Sequence, residues 1–248
     1  MKEGFDPQET DPQFRAIVLR EGGGVVAVAK PAGLATQAPP GVASMEAWLR
    51  GRLAAGAYVG VPHRLDRVVS GVLLLAVTPR AARKLSRQFE RREIGKTYLA
   101  LVEGEAADGI EAAGEEWRDV LVKVADEPRA RIAAADEVGA REAITRVRPL
   151  ARPLPGTLLV SLEPLTGRMH QLRVQAASRG LPIVGDTQYG ACASSLPAFA
   201  PTSDPRQQPI ALHAWRIRYA DPDTSVAIAV EAPLPAAWPE AVRAVVAS

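Results

Sequence analysis

The sequence predicts an α+β protein with a large mixed or antiparallel β-sheet flanked by helices and loops. Two observations carry this. Strand-length apolar runs outnumber helical patterns, and the two alternate irregularly instead of in the regular succession of a doubly wound sheet. No internal repeat is visible. A chain of 248 residues is long enough to bury a substantial core as one large domain or two lobes.

Taken in order, residues 1–14 are polar and proline-bearing and read as a flexible lead-in to a domain spanning 15–248. Residues 25–29 are a strand stopped by the turn Lys30-Pro31-Ala32-Gly33. Ser44 is placed to cap a helix reaching about Ala54, with Met45, Trp48, Leu49 and Leu53 on its core side. The segment His63-Arg64-Leu65-Asp66-Arg67 precedes the charge-free strand 72–77. Thr78-Pro79 supplies a cap and a first-turn proline for a helix through Arg91, whose stripe is Ala82, Leu85 and Phe89. A strand follows over 96–102, then a small-residue and acidic turn region over 104–114. Charges and alanines blur 117–150 into short strands and hairpins, and 157–162 is a clear strand. The stretch from Thr166 to Gly180 reads as a helix with Gly180 as its C-cap. Asp186 in the following tight turn reads as an Asx turn. A long loop over 191–209, strands over 210–219 and 226–231, and a helix after Trp238 complete the chain.

Composition narrows the function. The 47% hydrophobic and 23% charged content is that of a soluble globular protein, and no run reaches the roughly 18 apolar residues a membrane span needs. The N-terminus lacks the apolar core of a secretion signal, which points to a cytoplasmic protein. Cys192 is the single cysteine, so neither an internal disulfide nor a cysteine metal cluster is available. Histidines 63, 170 and 213 show no helical ligand spacing, and no metal is expected. A net charge of +2 does not by itself argue for nucleic acid. Phosphate-cradling glycine loops and serine elbows are absent.

What remains is an acid among arginines. Asp66 sits at the mouth of a core strand, where a local surface ion pair is the bland reading and a ligand site the sharper one. Desolvation raises such a carboxyl's pKa unless a cation offsets it, and Arg173 or Arg64 are candidates for that cation. Tyr98 offers a ring for stacking on a base. Arg80, Arg83, Lys84, Arg87 and Arg91 on the helix after Thr78, with Lys96 beyond it, form a one-sided basic surface. That surface is either a solvated face or a set of phosphate contacts.

At these residues the chain resembles the RluA-type pseudouridine synthase family. The likeness rests on four ordered blocks: Lys30-Pro31-Ala32-Gly33-Leu34; His63-Arg64-Leu65-Asp66 with Ser70-Gly71-Val72-Leu73-Leu74; Lys96-Thr97-Tyr98-Leu99-Ala100; and Thr166-Gly167-Arg168 with His170-Gln171-Leu172-Arg173, continuing to Gly185-Asp186 and Tyr189-Gly190. It implies a pseudouridine synthase fold with a central active-site cleft, and an enzyme that isomerises uridine to pseudouridine in structured tRNA or rRNA without cofactor or metal. It further implies Asp66 as the nucleophile, Tyr98 as the stacking and proton-removing tyrosine, and Arg173 as the aspartate's partner. Leu172 would line the base pocket, and Arg64 would fill the space of the flipped nucleotide. His63, Leu65, Arg168, His170 and Gln171 belong to the same blocks and are expected at the substrate. A monomer is the family expectation.

Two departures stand beside the site, Val68-Val69 and Gln175, and both are expected to bear on substrate preference. Loops over 37–58, 103–116 and 191–208 are the other candidates for substrate choice. The rival readings are an idle RNA-binding or ribosome-assembly protein of the same fold, and a carboxylate-dependent glycosidase releasing free base.

Overall fold

A computed structural model describes residues 16–104, 114–134, 136–204 and 207–247. The expected lead-in and most of the 104–114 turn region lie outside the described residues. In chain order the elements are β1 (Ile17–Gly22), β2 (Val25–Lys30), α1 (Met45–Arg52), β3 (Ser70–Ala76), α2 (Pro79–Glu90), β4 (Gly95–Glu103), β5 (Glu115–Lys123), β6 (Ala130–Ile132), β7 (Arg141–Ala151), β8 (Thr157–Pro164), α3 (Gln171–Ala177), β9 (Leu212–Ala220), β10 (Ala227–Glu231) and α4 (Glu240–Ala247). No helix among the described residues is long and apolar enough to cross a membrane. The chain divides into two compact units, Met1–Lys96 with Ala214–Pro235, and Thr97–His213 with Ala236–Ser248.

In the first unit β2 pairs antiparallel with β1 and with β3, and β10 pairs antiparallel with β9. Every residue of β3 is buried. Val72, Leu74 and Ala76 pack with Ala81 and Leu85 of α2 and with Ile217, Ile228 and Val230. Gly71 has a positive φ of 120°, and a Cβ there would lie 2.2 Å from the Ala214 carbonyl oxygen, so the neighbouring backbone excludes any side chain. The caps of α1 and α2 fall where the sequence places them: Ser44 accepts from Ala47 N–H, and Thr78 accepts from Ala81 N–H with Pro79 at the first turn. α2 ends in a Schellman pair, Arg92 N–H to Phe89 and Glu93 N–H to Gln88. Buried Gln88 then donates to and accepts from the Ala220 backbone at 2.9 and 2.8 Å, tying α2 to the end of β9. β1 is not anticipated by the sequence reading, because only Val18 of its six residues is buried and Arg20 and Glu21 interrupt its alternation.

In the second unit β4, β8, β7, β5 and β6 are neighbours in that order, each pair antiparallel where registered. The blurred region resolves into two long strands and a short one: β5 has 9 residues and β7 has 11. Its charges are the outward half of a strand alternation, with Ala143, Thr145 and Val147 inward against exposed Arg146 and Arg148.

The helix expected from Thr166 is a correction. α3 begins only at Gln171, with His170 before it in the left-handed region at φ 51°. Residues 166–170 are used to dock the helix instead. Thr166 Oγ1 accepts from Ile144 N–H and donates to Gln171 Oε1, which also accepts from Arg168 N–H. Gln171 Nε2 donates to Ile144 O and Thr145 Oγ1, and Thr145 donates to Gln175 Oε1 at 2.6 Å. Buried polar atoms demand partners, and this chain satisfies them between α3 and β7.

Candidate active site

Asp66 lies half-buried on the turn before β3, in the first unit. Its own carbonyl accepts from Val69 N–H at 3.1 Å. The residue before it is held by Thr36: Leu65 N–H donates to Thr36 Oγ1 at 3.1 Å, and the hydroxyl donates back to Leu65 O at 2.9 Å. The residue after it is held from the same side, since Arg67 O accepts from Gly33 N–H at 2.8 Å and from Lys30 Nζ at 3.1 Å. Lys30 is 1% exposed and also donates to Pro31 O and Leu34 O. Burial lowers its pKa to about 7; Asp66 works against that shift and Arg67 adds to it. Lys30 and Thr36 are functional candidates that the sequence reading leaves out. The available signal is a lysine at the end of an otherwise apolar strand.

His63, expected at the substrate, has an internal role in this unit. Its Nε2 accepts from Leu74 N–H at 2.9 Å, and its ring stacks on Phe89 of α2 with centroids 4.6 Å apart. Burial, with the Lys96 charge nearby, pushes its pKa down to about 3, which keeps it neutral and able to accept. The same stacking attaches the Asp66 turn to the basic helix. Leu65 is buried, and Arg64 is exposed.

The basic surface sorts into groups. Arg83 and Arg87 are exposed, one turn apart on α2, with no carboxylate partner among the described residues. Arg80 lies 3.6 Å from Asp223 and Arg91 3.9 Å from Glu93, both in solvent-exposed pairs. Lys84 is not an open cation, because its ammonium donates to Pro222 O at 2.5 Å. Lys96 is half-buried, and burial lowers its pKa.

The second unit carries Tyr98, Arg168, His170, Gln171, Leu172 and Arg173. Tyr98 is half-buried on β4 opposite Leu162. Arg173 is buried; its Nε and Nη2 donate to the two carboxylate oxygens of Asp186 at 2.6 and 2.7 Å, and Nη2 also donates to Gln188 at 2.8 Å. Its guanidinium lies 4.8 Å from the Tyr189 ring centroid. Asp186 is therefore a correction: its side chain makes no cap bond and serves Arg173 instead of an Asx turn. His170 Nδ1 meets Tyr189 Oη at 2.8 Å, and that hydroxyl accepts from Ala130 N–H. Arg168 Nε donates to Glu142 O, and Leu172 is buried. Gln171 is wholly committed to the docking chain above. Gln175 is equally internal, donating to Asp119, Trp117 O and Ala143 O. Val68 and Val69 are buried core residues. Both departures thus lie in the interior.

The family model described as RNA pseudouridylate synthase matches residues 24–178. The chain is 35% identical over 190 residues to tRNA pseudouridine synthase C of Salmonella typhimurium, covering 75% of this chain and 72% of that one. It is 36% identical over 177 residues to the dual-specificity RNA pseudouridine synthase RluA of Yersinia pestis, covering 70% and 81%. The solved human RNA Pseudouridylate Synthase Domain Containing 1 shares the fold, with a TM-score of 0.68, 24% identity and coverage of 97% and 98%. The chain belongs to the RNA pseudouridylate synthase family, enzymes that isomerise uridine to pseudouridine. Within it, the chain is an RluA-type member.

Proposed function

We propose that this enzyme modifies uridine in structured tRNA or rRNA, with Asp66 as nucleophile, Tyr98 as the stacking and proton-removing ring, and Arg173 as the third catalytic residue. The observation that carries the reading is the mounting of Asp66. A half-buried carboxylate stands on a turn whose flanking residues are each tied by hydrogen bonds, directly before a fully buried strand. Relatives with names citing tRNA or the ribosomal large subunit support either RNA class as substrate.

The reaction balances without a co-reactant. The C1′–N1 bond breaks with assistance from Asp66, the uracil turns, and a C1′–C5 bond forms. C5 then loses its proton, and N1 gains one. Neither C1′ nor C5 is accessible in a stacked helix, so the nucleotide is extruded at a cost of a few kcal/mol. Stacking on Tyr98 returns roughly 1–3 kcal/mol. Arg83 and Arg87 are exposed and suited to phosphate, where cations contribute binding without base specificity.

The test is Asp66→Asn assayed on tRNA and rRNA by carbodiimide-primer-extension mapping. Full RNA binding with no pseudouridine is the expected result. Pseudouridine formation at the wild-type rate refutes the assignment, and release of free uracil by the wild-type protein supports a glycosidase instead.

A further inference from the structure

We propose that Gln208 is a positioning residue for Arg173, acting through the Gly185–Asp186 peptide that carries the guanidinium's carboxylate partner. The inference rests on the reading of Arg173 as a catalytic residue. Gln208 ends a loop expected to choose the substrate, yet it is 4% exposed and has no surface to offer RNA. Its Nε2 donates to Gly185 O at 2.7 Å. That oxygen also accepts from Thr187 N–H at 3.0 Å, and the other polar group of the same peptide, Asp186 N–H, donates to Ile183 O at 2.9 Å. The Asp186 carbonyl accepts from Tyr189 and Ala191 N–H. Among the described residues, the backbone hydrogen bonds of Asp186 and of the Gly185 carbonyl all stay within 183–191 except the one from Gln208, 23 positions away. Val184 anchors the start of the turn, donating to Leu101 O and accepting from Ala211 N–H. The Gln208 bond then fixes the tilt of the next peptide against the rest of the second unit.

Gly185 is the point at which that tilt would otherwise be loose. Its φ is +84°, and a Cβ there would lie 3.0 Å from Phe199 Cβ and from Pro209 O, so packing and backbone both disfavour a stiffer residue. The restraint therefore comes from outside, through the Gln208 amide. Its effect reaches Arg173 directly. Both carboxylate oxygens of Asp186 accept from the guanidinium, at 2.6 and 2.7 Å, and a two-point contact passes any rotation of the carboxylate on to the guanidinium plane. A catalytic group works only within about 0.5 Å and about 10–20° of its productive geometry.

The experiment uses Gln208→Leu, which keeps the bulk and loses the donor, while Gly185 O keeps its bond from Thr187 N–H. Single-turnover rates at saturating enzyme are corrected for the folded fraction found by thermal melt, and RNA affinity is measured by filter binding. Gln208→Leu is expected to lose about tenfold in rate with affinity within about twofold of wild type. Asp186→Asn and the double variant are measured alongside. Because Gln208 acts through Asp186, the double variant is expected to be no slower than Asp186→Asn alone; losses that multiply overturn the proposal. A merely structural role lowers the melting temperature and leaves the rate of the folded protein unchanged, which also overturns it. Where Gln208→Leu is unfolded at the assay temperature, the same criteria are applied to Gln208→Met. Arg173→Lys, run in parallel, separates the two ways of failing. If it is slow while Gln208→Leu reacts at the wild-type rate, only the positioning role falls; if Arg173→Lys itself reacts at the wild-type rate, the reading of Arg173 falls and the proposal with it.

Discussion

Arg173 and Asp186 form a two-bond ion pair, 2.6 and 2.7 Å, with exposures of only 5% and 1%. Thirteen residues separate them in sequence, and the pair orients the guanidinium from within the second unit. Removing one member of a buried pair strands the other charge, which typically costs about 3–5 kcal/mol. Asp186→Asn is therefore expected to lower stability in urea denaturation by an amount of that order. It is also expected to reduce the single-turnover rate, because Arg173 loses its fixed orientation. An unchanged midpoint and rate would show that Gln188 and Tyr189 suffice to hold Arg173.

His63 predicts an acid limb in stability. Its folded pKa of about 3 lies below the ordinary histidine value of 6.5, so between these pH values the unfolded chain binds a proton that the folded chain does not. Stability from this group is complete above about pH 6.5 and declines as pH falls toward 3. His63→Gln, which keeps an acceptor toward Leu74 N–H, should flatten the fall in denaturation midpoint between pH 6.5 and 4. An identical pH slope in the variant contradicts this.

The cations of α2 should not be equivalent. Arg83→Ala and Arg87→Ala are expected to weaken RNA binding across sequences and to reduce the salt-dependence slope by about 1 for each phosphate left without its cation. Lys84→Ala should change the slope less, since its ammonium already serves Pro222 O. Filter binding over a range of salt concentrations distinguishes them, and equal slopes for all three would refute the ranking.

Gln175 is expected to matter for stability and not for substrate choice. Its amide satisfies acceptors on Trp117, Asp119 and Ala143 and takes the Thr145 hydroxyl. Asp119 keeps its bond from Arg179, but Gln175→Leu takes a partner from the Thr145 hydroxyl and from the Trp117 and Ala143 carbonyls, at about 1–3 kcal/mol for each group left unpaired. The denaturation midpoint should fall while the set of modified uridines, mapped by primer extension, stays the same.

Much of the local structure is legible in the residues alone. The caps at Ser44 and Thr78 act within one helical turn, and the charge-free run before Ala76 has no alternative to a buried strand. The α+β class and the family likeness follow from such local signals in a fixed order. Three features are not legible for one shared reason: their partners are distant in sequence. Thr166 and Gln171 look like ordinary helix residues until β7, more than twenty positions earlier, uses them to pair its backbone. Asp186 looks like a turn former until Arg173 reaches it. Thr36 and Lys30 look like parts of a proline-glycine turn until Leu65 and Arg67 arrive about thirty positions later. The sequence by itself determined most of the elements, the reaction class and Asp66 as the acid to watch, because helix and strand preferences and motif blocks are short-range. Only the tertiary structure decided which side chains hold that acid's turn and which hold Arg173. Hydrogen bonds between remote residues depend on angles and distances that exist only once the chain has packed.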